Sequence, residues 1–192
     1  MIDNQSYIGV YYLQEVREMA SGFILQPDGT FQFFFSYGAL DRMGTGKWTI
    51  KDGQILLNSR SKPGPDFRLV VSRKKPHDFI HIQISHSNAM LLRHTWCSLE
   101  KGAEGTWKNF DPLGDLQFPA QDITSLALQF EFCPERFSII PITTNDHNDF
   151  VLEVEPWLTE VFFENFSLQV DEEGLSGRHP LLEGEKFKYS KQ

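Results

Sequence analysis

Hydrophobic and polar positions alternate along this chain with a period of two, and tight-turn residues interrupt the alternation at short intervals. The stretch from Gly22 to Tyr37 shows it best. Two apolar-rich runs flank Pro27-Asp28-Gly29, where proline presets φ and glycine accepts the positive φ that other residues resist. Phe31, Phe33, Phe35 and Tyr37 share one face of the second run, while Gln32, Phe34 and Ser36 share the other. Phe34 therefore needs burial or a partner of its own. The arrangement returns at Trp48–Ile50, Asp52-Gly53 and Ile55–Leu57, and strands joined by such turns make an antiparallel meander.

Up to residue 99 the pattern predicts as many as eight short strands, near 7–16, 22–26, 30–37, 45–51, 54–59, 67–73, 78–85 and 90–97. Turn clusters such as Ala20-Ser21-Gly22, Pro63-Gly64-Pro65-Asp66 and Pro76-His77-Asp78 separate them. Eight strands suit a small up-and-down barrel, because closure removes exposed edges and leaves a lumen for side chains or one small ligand. Glu100–Gly105 is small, charged and aperiodic, which places a boundary near residue 101. Beyond it, strands are expected at Ser125–Phe132, Phe137–Ile142, Phe150–Glu155, Glu160–Phe163 and Phe166–Val170. A last strand is expected at Lys186–Tyr189, and a short helical turn near Phe118–Thr124.

Composition agrees with a packed protein. Among 192 residues, 17 Phe and 4 Trp supply a core and argue against long disorder. No apolar run approaches the roughly 20 residues of a membrane span. The first residues lack the basic and apolar regions of a secretory signal, so a cytoplasmic location is expected. Cys97 and Cys133 have no CxxC spacing and read as two buried thiols.

The net charge of −8 is uneven. Residues 1–99 hold 11 basic and 8 acidic residues, a net +3, whereas residues 100–192 hold 7 and 18, a net −11. The acidic half would repel nucleic-acid phosphates, so no nucleic acid is expected as partner, but it suits a basic protein.

Gly105-Thr-Trp107-Lys108 resembles the Gly-x-Trp that opens the first strand of calycins, the lipocalin and fatty-acid-binding-protein group. The meander with Gly9-Val-Tyr11 and the Pro-Asp-Gly-Thr-Phe hairpin is similar to lipocalin-like modules, with Tyr11 in place of the tryptophan. The resemblance implies a barrel of eight to ten strands that holds a hydrophobic ligand, and it carries over no ligand-binding residue. The expected fold is all-β: a calycin-like meander or barrel over 1–101, then an acidic β-rich half over 102–192 packed on it.

Several groups carry candidate chemistry. Ser36–Gly44 reads as a connector with Tyr37, Asp41 and Arg42 gathered at a barrel mouth, or as a plain loop with a weak surface pair. A hairpin of 78–85 with 90–97 would set His81 opposite His94, about 4.5–5.5 Å apart, but supplies no third metal ligand. Two polar side chains on a wet face explain the pair more simply. Asn145–Asp149 alternates oxygen-bearing residues but lacks the glycine and distal glutamate of a calcium loop, and reads as a turn. Glu153 and Glu155 would share a strand face about 7 Å apart, opposite Leu152 and Val154, as an outward polar face.

These readings converge on a binding protein, with no catalytic residue, metal or cofactor assigned. The first expectation is a small apolar or amphipathic ligand in the barrel lumen, lined by Phe33, Phe35, Tyr37, Trp48 and His81, with Asp41 and Arg42 at the mouth. The other is an acidic interaction module, of inhibitor or immunity type, that binds a basic protein.

Overall fold

The inward faces of the Phe-rich hairpin do build a closed barrel, although three of the eight strand segments expected before residue 99 belong elsewhere. The structure is a computed structural model and describes residues 4–38, 40–99, 106–144 and 146–192. Five strands come first: β1 (Gly9–Leu13), β2 (Met19–Leu25), β3 (Thr30–Tyr37), β4 (Leu40–Lys51) and β5 (Gln54–Asn58). Next come β6 (Phe67–Arg73), β7 (Phe79–Ser85), α1 (Ala89–Arg93), β8 (Thr95–Ser98) and β9 (Lys108–Asn109). β10 (Asp115–Pro119), β11 (Ser125–Phe130), β12 (Ser138–Pro141) and β13 (Asp149–Val154) complete this middle stretch. The chain then runs through β14 (Phe166–Val170), β15 (Gly174–Gly177) and β16 (Phe187–Lys191).

The barrel closes in the order β1-β16-β15-β14-β5-β4-β3-β2, every pair antiparallel. The last three strands therefore complete what the first five begin. Residues 63–158 form a second unit with two four-stranded sheets, β10-β7-β13-β6 and β12-β11-β8-β9. The division falls at Lys62/Pro63 and Leu158/Thr159, not after residue 101. Glu100–Gly105, which suggests the later boundary, lies outside the described residues. The Pro63-Gly64-Pro65 cluster marks the first crossing point more faithfully.

Each unit has its own core. In the barrel, Phe23, Phe31, Phe33, Ile55, Leu57, Leu168 and Tyr189 are nearly or completely buried. In the second unit, Ile80, Ile82 and Ile84 of β7 meet Phe150 and Leu152 of β13, with Cys97, Leu126 and Leu128 from the other sheet in the same cluster. Both cysteines are buried, and burial pushes the Cys97 thiol far up. Re-dividing the chain also redistributes its charge. The barrel unit holds 10 basic and 13 acidic residues, and the second unit 8 and 13, for nets of −3 and −5. No strongly acidic half exists as a structural unit.

Phe34 finds its partner through a missing side chain. Tyr12, Gly22, Phe34 and Met43 form one cross-strand row over β1–β4, on the face away from the core. A Cβ on Gly22 would lie 2.0 Å from the Tyr11 carbonyl oxygen and 2.9 Å from Phe34 Cζ. Glycine therefore lets the Phe34 ring lie across β2 and meet Tyr12 edge-on, at 5.4 Å between centroids.

Three local predictions change. Residues 90–97 are not one strand: the Asn88 side chain accepts from Met90 N (3.0 Å) and Leu91 N (3.4 Å), an N-cap that starts α1 before β8 begins. The turn expected at Phe118–Thr124 gives way to β10, whose Pro119 ends a strand at a sheet edge where a missing N–H costs nothing. Residues 160–163 form no strand, and only an isolated bridge joins Glu160 to Met43.

Candidate functional site

The barrel interior is occupied by its own rings. Phe23 packs against Phe33, Phe163, Phe166 and Tyr189 at 5.1–6.3 Å between centroids. Phe163 also meets Phe31 at 5.1 Å and Phe33 at 5.4 Å. His179 sits among Phe33, Phe35, Phe187 and Tyr189. Its Nδ1 accepts from the N–H groups of Leu181 and Leu182 at 3.0 and 3.1 Å. The proton therefore sits on Nε2 and is donated to Ser21 Oγ at 3.0 Å, and Ser21 in turn donates to Phe34 O at 2.9 Å. Burial lowers the His179 pKa to about 4 and raises that of Tyr189.

Of the seven residues expected to form a lumen site, Phe33, Phe35 and Trp48 belong to this packed core. Trp48 donates its indole N–H to Gln26 O at 3.0 Å. The rest are elsewhere. Residues 36–44 do not form an open loop, because β4 already starts at Leu40, opposite Tyr37. Tyr37 and Asp41 are exposed, and Arg42, opposite Phe35, is buried with Nε 3.4 Å from Thr159 O. His81 cannot line the barrel: it lies on β7 in the other unit.

His81 instead anchors the polar site of that unit. Arg73, Asp149, His81 and Gln117 are direct cross-strand partners over β6, β13, β7 and β10. Asp149 has no exposed side-chain surface. It takes Arg73 Nε at 2.6 Å, Lys75 Nζ at 2.9 Å and His81 Nδ1 at 2.7 Å. Desolvation pushes the Asp149 carboxyl up, but hydrogen bonds from His81, Lys75 and Arg73 outweigh it and hold the pKa far below the usual range. The second His81 nitrogen, Nε2, lies 2.8 Å from Asp115 Oδ1. A carboxylate oxygen therefore lies within hydrogen-bond reach of each nitrogen of the His81 ring.

Asp115 opens onto a cleft of about 810 Å³. Its floor comes from two edge strands, β9 and β10, and its wall from β8 and the end of α1. Trp96, half-buried, is the aromatic surface, with Phe110 and Leu116 buried beneath. Asn109, Gln117, Arg93 and Asp115 bring planar polar groups to the rim.

Local structure fixes these groups. Asp111 Oδ1 accepts from Leu113 N at 2.8 Å and Asp115 N at 2.9 Å, shaping the turn from β9 to β10. Gly114 supplies the positive φ (+83°) that the turn needs. His94 Nδ1 lies 2.9 Å from Glu131 Oε2, and its ring packs on Phe132 at 4.7 Å.

Other candidates are absorbed into the scaffold. His81 and His94 do not face one another, since α1 precedes β8 and β8 belongs to the other sheet. Within the 145–149 stretch, Asn145 lies outside the described residues, His147 Nδ1 meets Ser72 Oγ at 2.8 Å, and Asn148 holds the Lys75 and His77 backbone. Among the described residues no three His, Cys, Asp or Glu are placed to hold a metal. Glu153 and Glu155 both bind Arg68 on an outward face. Trp107 lies just before β9, outside the barrel, packed on Phe137 at 5.8 Å, and Gly105 is outside the described residues.

No sequence pattern points to Asp115 or to its link with Asp149. β7 and β13 pair in parallel across a long crossover, and no spacing rule encodes that. Among the described residues no helix is long and apolar enough to cross a membrane. Comparison with family models, curated proteins and solved structures returns no match.

Proposed function

We propose that this is a non-catalytic binding protein whose ligand site is the cleft between β9 and β10 rather than the barrel lumen. The observation that carries this reading is the rim of Trp96, Asn109, Asp115 and Gln117 around about 810 Å³, with Asp115 held from behind by His81 and Asp149. Affinity in such sites comes from apolar contact and orientation from a few fixed polar groups. The barrel, with rings in its interior, then serves as scaffold. The acids here are hydrogen-bond partners of histidines: Asp115 lies 2.8 Å from His81 and Glu131 lies 2.9 Å from His94.

Amide chemical shifts mapped against mixtures of small polar fragments test this. Perturbations gathered at residues 93–96 and 109–117 support it. Perturbations along β2 and β3 return the site to the lumen, and silence in both regions defeats the reading.

A second reading is favoured by one observation, the outward row of Tyr12, Phe34 and Met43, in which Tyr12 and Met43 are exposed. Interface centres are enriched in Tyr, Phe and Met and depleted of charge. A basic protein partner would seat there, drawn by the chain's net −8. Met43→Glu should abolish capture of such a partner, and salt should slow its association. Capture unchanged by either removes this reading.

A further inference from the structure

We infer that the β9–β10 cleft takes a neutral, hydroxyl-rich ligand of the saccharide class, an inference that rests on the cleft being the ligand site. Three features select this chemistry. The first is the state of the acids. Asp115 faces His81 at 2.8 Å, Glu131 faces His94 at 2.9 Å, and Asp111 Oδ1 already accepts two backbone N–H groups. A cationic ligand would compete with these bonds, and an anionic one would meet three carboxylates against Arg93.

The second feature is the shape of the polar groups. Asn109, Gln117, Asp115 and Arg93 end in planar forks, which pair with two neighbouring hydroxyls at once. A site built to bond hydroxyls discriminates strongly against analogues that lack them. The third is the half-buried Trp96 ring, a flat apolar surface for the C–H face of a sugar ring, with an edge that keeps a polar N–H. At about 810 Å³ and open to solvent, the cleft accommodates more than one sugar ring.

The test reads the indole N–H signal of Trp96, assigned among the four tryptophans by the Trp96→Phe variant. The full chain is titrated separately with neutral mono- and disaccharides of differing hydroxyl stereochemistry, with spermidine and with inorganic phosphate. The expected result is a saturable shift with at least one saccharide, weakened about tenfold or more by Gln117→Ala. Gln117 is exposed, so that variant should leave the amide spectrum elsewhere unchanged. A saturable shift with spermidine or phosphate and none with any saccharide overturns the ligand class but leaves the cleft as the site. No Trp96 response to any probe overturns the ligand class, and amide shifts at 93–96 and 109–117 from the fragment mixtures then decide whether the cleft itself stands.

Discussion

Ser21 and His179 are 158 positions apart in sequence, yet their side chains meet at 3.0 Å inside the barrel. The bond ties β2 to the segment between β15 and β16, while Nδ1 on the other side of the ring accepts from Leu181 and Leu182 N–H and must stay unprotonated to do so. A proton added there would point at the two N–H groups of Leu181 and Leu182. One titratable group shares this end of the core with the ring: Tyr189 stacks beside it and is itself raised by burial.

That geometry sets a pH dependence. The folded His179 pKa, about 4, is below the ordinary 6.5, so between these values the unfolded chain binds a proton that the barrel refuses. Stability should be full above about pH 6.5 and fall by up to about 3 kcal/mol as the pH drops toward 4. Urea denaturation at several pH values checks it. His179→Asn keeps an acceptor near the Nδ1 position but does not titrate, and should remove this slope at some cost in ring packing.

Asp149 acts in a lower window. Its folded pKa is depressed, so its contribution is present above the ordinary 3.8 and is lost as the pH falls below it. Asp149→Asn leaves Arg73, Lys75 and His81 facing a neutral amide. Because Arg73 and Lys75 reach solvent, the expected loss is about 2–3 kcal/mol and not the full cost of an unpaired buried charge. Thermal unfolding at pH 7 measures it, and an unchanged midpoint would deny the cluster a structural role.

Gly22→Ala should be among the most damaging single-methyl changes in the barrel. The added Cβ meets backbone, the Tyr11 carbonyl oxygen, which cannot swing aside without opening the β1–β2 pairing. A loss of more than about 2 kcal/mol is expected. Tyr12→Ala, by contrast, should cost about 1 kcal/mol, since it removes one edge-on ring contact at the surface. Comparing the two denaturation curves separates backbone conflict from lost packing.

Asn88→Ala removes the side chain that accepts from Met90 and Leu91 N–H, for an expected loss of about 1 kcal/mol. Slower hydrogen exchange at Met90 and Leu91 in the parent than in the variant would report the same cap directly.

The barrel's first hairpins are legible in the sequence because each turn is local: Pro27-Asp28-Gly29 and Asp52-Gly53 fall between paired strands as expected. The alternation in 78–85 is equally legible, with Ile80, Ile82 and Ile84 inward. Which strands meet is a different matter. β5 pairs with β14 and β1 with β16, contacts far apart in the chain that no turn announces. The candidate site falls in the same gap. His81 stands out as a polar residue on an apolar strand, but its partners Asp115 and Asp149 come from β10 and from a parallel neighbour. Turn chemistry is local, and sheet partnership is not.

The barrel's seam has a consequence for the order of events during synthesis. Synthesis runs from the N-terminal side, so all of residues 63–158 are polymerised before β14, β15 and β16. That middle stretch can complete both of its sheets early, while β1 and β5 wait with open edges for partners made last. A stalled or clipped chain would expose those edges to any other strand nearby, which makes residues 166–192 the guard of the whole barrel against aggregation.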